Sequence, residues 1–308
     1  MARRRPKGRP VNGILLLDKP IGLTSNAALQ QVKRLFKAAK AGHTGNLDPG
    51  ASGLLPLCFG EATKFSGFLL DSDKRYRATC QLGVTTTSAD AEGEVLERKP
   101  VGEYSRVEVE AILARFIGEI EQIPPMHSAI KVNGQPLYKL AHQGKEIARQ
   151  PRRITIHSLE LISLEGDQMV LEVHCSKGTY VRTLAEDIGH QLGCGAHLSA
   201  LRRTTAGPFS VADAITLDEL EQRAEQEELA ALDRALLPIE AALDDWPELV
   251  LTDNTAYYLC QGQAVQIARA PTSGLVRLFV GDAHRFIGVG RVLADGRVAP
   301  QRLVSSAG

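Results

Sequence analysis

Residues 42–56 read GHTGNLDPGASGLLP, with four glycines and two prolines around a single carboxylate, Asp48. Proline fixes φ and cannot donate a backbone hydrogen bond, while glycine enters conformations closed to other residues. Such a stretch cannot continue a helix and must be a loop between two regular elements. Asp-Pro-Gly alone is an ordinary turn. A loop this constrained nonetheless holds its one acidic side chain on a rigid backbone, as a nucleophile requires. His43, five residues before Asp48, can reach the same cavity as a polar partner.

The flanking patterns define what the loop connects. Residues 13–18 (GILLLD) form a short apolar run suited to a buried strand. Thr24 and Ser25 are N-cap types, and Leu29, Val32, Phe36 and Ala39 follow on one helical stripe, with Gly42 as the stop. Over residues 75–82, Tyr76, Ala78, Cys80 and Leu82 alternate with polar residues, the signature of a half-buried strand. Val107, Val109, Ile112, Leu113 and Phe116 fit a helix, and residues 154–156 and 169–175 fit strands. Thr179 can cap a helix carrying Val181, Leu184, Ile188 and Leu192, ended by Gly193. An acidic surface helix is expected over residues 217–236, and a small β-rich domain beyond about residue 248, with an Asp295-Gly296 hairpin turn.

Composition narrows the function classes. No apolar run approaches the length of a membrane span, and the apolar run at 14–17 is too short for a signal peptide core, so a cytoplasmic protein is expected. Five scattered cysteines show no zinc spacing and read as reduced thiols. His174 and Cys175 alternate in a strand pattern and read as sheet residues, not a metal pair. The net charge of zero hides a split: residues 213–248 hold twelve acidic and two basic residues, which leaves a charge of +10 on the remainder. That remainder is suited to a polyanion, with the acidic segment turned away from it.

Residues 42–53 resemble the GHTGxLDPxAxG signature of the TruB family of tRNA pseudouridine synthases. Residues 13–20 (GILLLDKP), 22–26 (GLTSN), 60–64 (GEATK), 73–77 (DKRYR), 175–183 (CSKGTYVRT) and 193–203 (GCGAHLSALRR) are similar to further motifs of that family, in the same order and spacing. The resemblance covers about residues 10–210, with a fainter match beyond. One departure is Asn46, where relatives often carry alanine.

The resemblance implies a mixed α+β fold: a pseudouridine synthase domain on a central antiparallel sheet over residues 10–248, then a small PUA-like RNA-binding domain over 249–308. It implies isomerisation of uridine to pseudouridine at position 55 in the T-loop of tRNA, with the T-arm stem-loop as partner and no obligatory protein partner. Asp48 is then the catalytic carboxylate, acting on C1′, on C6 or in deprotonating C2′; the sequence does not choose. The reaction needs neither cofactor nor metal, because no redox change or phosphate transfer occurs. Arg182 matches the arginine beside that aspartate. Such a cation is needed, because burial alone drives a carboxylate toward neutrality. Tyr76 matches the tyrosine stacked on the target base, Tyr180 and Leu201 the residues lining the base pocket, and His43 the histidine supporting the flipped nucleotide.

RNA contacts are expected from a basic arm over residues 1–9, from a thumb-like segment over 124–153 rich in Lys and Arg, and from Arg202 and Arg203. The tail cations Arg277, Arg285, Arg291, Arg297 and Arg302 are expected to add affinity without taking part in chemistry. Two alternatives share the aspartate loop: a guide-RNA-dependent synthase, and an RNA-binding or chaperone protein. The uninterrupted 124–153 segment favours a stand-alone enzyme, and the Asp48, Tyr76 and Arg182 set favours catalysis.

Overall fold

The structure, a computed structural model, describes residues 8–128, 130–132, 134–141, 143–145, 147–226 and 229–305. Of the basic arm expected at residues 1–9, all but Gly8 and Arg9 lie outside the described residues. Arg9 is not displayed as a free cation: its guanidinium donates to both carboxylate oxygens of Asp233, each at 2.6 Å.

The main sheet is built from Gly13–Lys19 (β1), Ala41–His43 (β2), Ala51–Phe59 (β3), Lys74–Leu82 (β4), Gly118–Gln122 (β5), Arg152–Glu165 (β6), Gln168–Cys175 (β7), Ala196–Ala206 (β8), Phe209–Ser210 (β9) and Ile215–Thr216 (β10). Its order is β10-β1-β3-β8-β4-β7-β6-β5, with β2 beside β3 and β9 beside β8. Pairing is antiparallel except between β1 and β10 and between β3 and β8. The sheet is central, as expected, but mixed.

Three helices matter for the site: Ser25–Leu35 (α1), Arg106–Leu113 (α2) and Val181–Leu192 (α3). The face of β4 carrying Ala78, Cys80 and Leu82 is paired in register with Leu171, Met169 and neighbouring residues of β7, and packs under α2 and α3. On the same face, Leu15 and Leu17 of β1 and Leu55 and Leu57 of β3 pack under α1 and the acidic segment's Leu217, Leu220 and Leu232. Tyr76 and Leu201 touch both clusters, so they line the seam between the two helical layers. The site lies along this seam.

Several local expectations change in detail. α1 ends before Phe36, with Lys37 at a positive φ of 47°, and does not run on to Gly42. The cap of α3 is Tyr180 rather than Thr179, whose hydroxyl instead donates to Ser176 O at 3.0 Å. In the acidic segment Leu217–Gln226 and Leu229–Asp233 are helical, and helix gives way to a turn at Arg234, short of the expected end at 236. The thumb-like segment ends before residue 152, because Arg152 and Arg153 already belong to β6. Among the described residues, no helix is long and apolar enough to cross a membrane.

The C-terminal sheet orders Glu248–Leu251, Gly274–Val280, Arg285–Val292 and Val298–Leu303 side by side. It is not an appendage on a linker. Val289, Leu275 and Phe286 share an apolar cluster with Ile14, Leu16, Leu54 and Phe65 on the second face of the main sheet. Phe65 and Phe286 approach to 5.6 Å between ring centroids, and Phe68 meets Trp246 edge-on at 4.8 Å. Loss of the tail would uncover this apolar surface, so any separability of the tail in chemistry does not extend to stability.

A shared core predicts a shared transition. Phe65→Ala truncates a ring that is 1% exposed, and should cost about 3–5 kcal/mol. Urea unfolding followed by Trp246 fluorescence and by far-UV circular dichroism should give coincident curves, both shifted to lower urea in the variant. Separate transitions for the two probes would show that the sheets unfold independently.

Candidate active site

The Asp48 loop is pinned from beneath. Thr24 is the cap of α1, its hydroxyl accepting from Ala27 N at 3.1 Å, which leaves Ser25 for another role. The buried Ser25 Oγ accepts from Leu47 N at 2.7 Å and donates to Leu47 O at 3.1 Å. Ala51 N donates to Asp48 O at 3.0 Å, closing the turn, and Gly22 N donates to Pro49 O at 2.8 Å. Where the loop enters β3, Gly53 has φ 99° and lies against Arg203; a Cβ there would stand 2.3 Å from Arg203 O. That glycine is required by both its conformation and its contact.

Arg182, in the first turn of α3, meets the loop. Its Nη2 lies 3.1 Å from Asp48 Oδ2 and its Nη1 lies 3.0 Å from Asp90 Oδ2. Nη1 also donates to Ser88 O at 3.2 Å, and Nη2 to His127 O at 2.8 Å. The arginine side chain is 8% exposed and that of Asp48 48% exposed. The buried cation is therefore held by the protein, while the carboxylate keeps a face open to a substrate. A guanidinium suits this position because its planar fork offers separate nitrogens in fixed directions to the two carboxylates, where a lysine offers a single point charge.

Asp90 is a site residue that sequence reasoning missed. It follows Ala89, which sits at φ 57°, a conformation unusual for a residue with a Cβ. Asp90 Oδ1 accepts from Ser88 Oγ at 2.5 Å and from Glu92 N at 3.1 Å, so its second oxygen is directed at Arg182. Nothing in the sequence marks it: Ser-Ala-Asp is a common tripeptide, and its strain exists only in three dimensions.

Two further cations lie below the loop. Lys19, at the end of β1, is fully buried, and its ammonium donates to Pro20 O and Leu23 O, each at 2.7 Å. Burial lowers its pKa to about 8, against the pull of Asp48 and with a smaller push from Arg203. Arg203 is 1% exposed; its Nε donates to Leu54 O at 2.7 Å and its Nη1 reaches Asn46 O at 3.5 Å. This corrects the expectation that Arg203 grips phosphate. It also shows why Asn46 is tolerated, since the contact is to its backbone. Arg202 points to the other face and forms a bidentate pair with Asp18 at 3.0 and 2.6 Å.

The remaining expected residues are placed unequally. Asp48, Asp90, Arg182, Ala51, Leu198 and Leu201 line one cavity of about 50 Å³, too small for a nucleobase without movement. Tyr76 does not line it. It sits half-buried in the seam, its hydroxyl pKa raised by burial, with Arg203 acting in the opposite direction. His43, on β2, is half-buried; burial lowers its pKa, a hydrogen bond donated by the ring to the Gly45 backbone opposes this, and Arg203 adds to the lowering. Its ring Nδ1 is buried and unbonded among the described residues. Tyr180 also lies outside the cavity lining, but its backbone is fixed from both sides by Gln122: Tyr180 N donates to Oε1 at 2.8 Å, and Nε2 donates to Tyr180 O at 3.1 Å.

Lys131, Lys139 and Lys145 of the thumb-like segment are exposed. Arg153 pairs with Glu119 at 3.3 Å. In the tail, Arg277 is bonded to Asp244 and Trp246 O, and Arg297 to Asp295, which leaves Arg285, Arg291 and Arg302 as the more available cations.

The chain is similar to known proteins over 99% of its length. Residues 33–181 match the TruB family pseudouridylate synthase (N terminal domain), residues 182–244 the tRNA pseudouridylate synthase B C-terminal domain, and residues 247–304 the pseudouridine synthase II TruB C-terminal domain. The chain is 58% identical over 305 residues to tRNA pseudouridine synthase B of Ectopseudomonas mendocina, covering 99% of each chain. It is 56% identical over 304 residues to tRNA pseudouridine synthase B of Nitrosococcus oceani, covering 99% of this chain and 98% of the relative. Among solved structures, a Cbf5-Nop10-Gar1 complex superposes with a TM-score of 0.73 at 26% identity, over 95% of this chain and 85% of that one. On these matches, which run through both sheets and the aspartate loop, the chain belongs to the TruB family of pseudouridine synthases.

Proposed function

We propose that this protein isomerises uridine to pseudouridine in the T-loop of tRNA, at position 55, with Asp48 as the catalytic carboxylate and without a cofactor. The observation that carries the reading is the 3.1 Å contact between Asp48 and the buried Arg182 beside the cavity lined by Leu201. The curated relatives over the whole chain are named tRNA pseudouridine synthase B, which supports tRNA as the substrate.

The isomerisation breaks the bond between C1′ and N1, turns the uracil, and joins C5 to C1′. The proton leaves C5, and N1 ends protonated, so atoms balance within the nucleotide. Asp48 is the carboxylate that assists, and Arg182 orients it through a charge-assisted contact at 3.1 Å. Tyr76 in the seam supplies a platform for the base and a hydroxyl near the carbon that loses its proton. Leu201 and Tyr180 provide the apolar and aromatic surroundings that suit a base removed from its stack. His43 supports the flipped nucleotide.

Residues 10–248 are read as the catalytic part and residues 249–308 as an RNA-binding part. The thumb-like segment carries exposed lysines for phosphate, and its His127 carbonyl already rests on Arg182. Movement of that segment is the natural way to open the small cavity to a base. A stand-alone enzyme acting in the cytoplasm is favoured over a guide-RNA-dependent one by the close, full-length match to relatives named as synthases of tRNA.

Asp48→Asn keeps the shape of the loop and removes the charge. Pseudouridine in treated T-arm RNA should fall below detection, while tRNA affinity stays within about threefold of wild type, because phosphate contacts carry binding. Substantial turnover by the variant would refute the assignment. Tyr76→Phe retains the ring and should bind RNA normally yet stop turnover; a near-normal rate would reduce Tyr76 to a platform.

Substrate shape supplies a third measurement. An isolated T-arm hairpin should be modified as a sufficient substrate, and faster than the same strand with its loop unfolded, since a strained loop already presents the base. Binding should weaken steeply across a salt series as displaced counterions return to the phosphates. Equal rates on folded and unfolded strands would exclude shape reading, and a flat salt response would exclude the lysines of the thumb-like segment.

A further inference from the structure

The face of the main sheet opposite the catalytic seam carries a group of side chains that the reaction does not use. His174 of β7 is paired in register with Arg75 of β4, one residue out of phase with Tyr76, so it points away from the active site. Against it stands His157 of β6, and beside both is Asp73, directly before β4. His157 Nε2 lies 3.1 Å from Asp73 Oδ2, and the two imidazole rings are 4.7 Å apart between centroids. One ligand atom from each of the three residues lies within 4.8 Å of the other two.

The backbone brings these groups together through an irregularity. In the ladder between β6 and β7, Ile156 pairs with Cys175 and Ser158 pairs with His174, which leaves His157 as an extra residue. Such a bulge sets two residues of one strand opposite one of the other and re-aims a side chain. Ile156 and Leu159 are buried, whereas His157 is exposed and Ser158 half-exposed, so the bulge turns His157 outward to the side of His174.

We propose that Asp73, His157 and His174 form a binding site for a divalent first-row transition metal, separate from the catalytic seam. Two imidazoles and one carboxylate are the donor set that zinc, nickel and cobalt take, with water in the open positions. Magnesium and calcium prefer oxygen donors and do not suit it. Ligands around such an ion stand roughly 3.4 Å apart, so the cluster has to contract slightly. The exposed side chains of Asp73 and His157 have room to do so. Arg75, beside His174, opposes a cation by charge, and Asp73 offsets it. The bound metal would take the place of any imidazolium proton, which leaves to solvent. It would tie together the start of β4, the bulge of β6 and the end of β7.

The test is isothermal titration of untagged full-length protein with nickel chloride, for wild type and for His157→Gln, His174→Gln and Asp73→Asn. Nickel suits imidazole and limits competition from the exposed Cys260 thiol. Wild type should bind one ion per chain, each substitution should weaken that binding at least about tenfold, and nickel should raise the thermal midpoint of wild type alone. Melting curves without metal show that each variant is folded, and turnover of T-arm RNA should be unchanged in all three. Absence of binding to wild type, or equal binding in wild type and the three variants, would overturn the site. Either result leaves the catalytic assignment untouched, because that assignment is read from pseudouridine formation.

Discussion

A single buried guanidinium holds the active site together. Arg182 takes four acceptors from three separate chain segments: the carboxylate of Asp48, the carboxylate of Asp90 with the carbonyl of Ser88 beside it, and the carbonyl of His127. A charge withdrawn from water is tolerable only when it is paired and hydrogen-bonded, and removing one partner leaves the rest poorly compensated. The three segments are therefore coupled through this side chain. A shift of the thumb-like segment that withdraws the His127 carbonyl changes the environment of the same arginine that faces Asp48.

Beneath that layer, Lys19 and Arg203 do related work from inside the sheet. Each is buried, and each donates to backbone carbonyls rather than to a carboxylate. They fix the turn after β1 and the entry to β3, and they place positive charge below the Asp48 loop. The parallel pairing of β3 with β8 makes this possible, because it sets Gly53 directly beside Arg203. The second face of the sheet is committed differently. Near β1 and β3 it is covered by the C-terminal sheet, and over β4, β7 and β6 it stays polar, with the paired imidazoles at its edge.

Much of this was legible in the sequence because it depends on local rules. The alternation of Tyr76, Ala78, Cys80 and Leu82 fixed the inward face of β4, and Gly193 at φ 86° ends α3 as a glycine stop should. The motif residues identified Asp48 and Arg182, and these do meet. The reading failed where the outcome depends on what a residue faces. Arg202 and Arg203 are adjacent, and both were assigned to phosphate. Strand alternation instead sends one to Asp18 on one face and the other into the core on the opposite face. Thr24 and Ser25 are both cap types, yet only one can cap, and the other is taken by Leu47 across the loop.

By itself the sequence determined the element pattern, the rigid aspartate loop and the family, because glycine, proline and apolar periodicity act through near neighbours and the motifs are contiguous. Tertiary structure alone decided the partners of Arg182, including Asp90 held by a residue at positive φ. It also decided the burial of Arg203, the core shared with the tail, and the meeting of Asp73, His157 and His174. Each of these joins segments far apart in the chain, and strand order and register, which no local pattern encodes, determine which distant residues come to face one another.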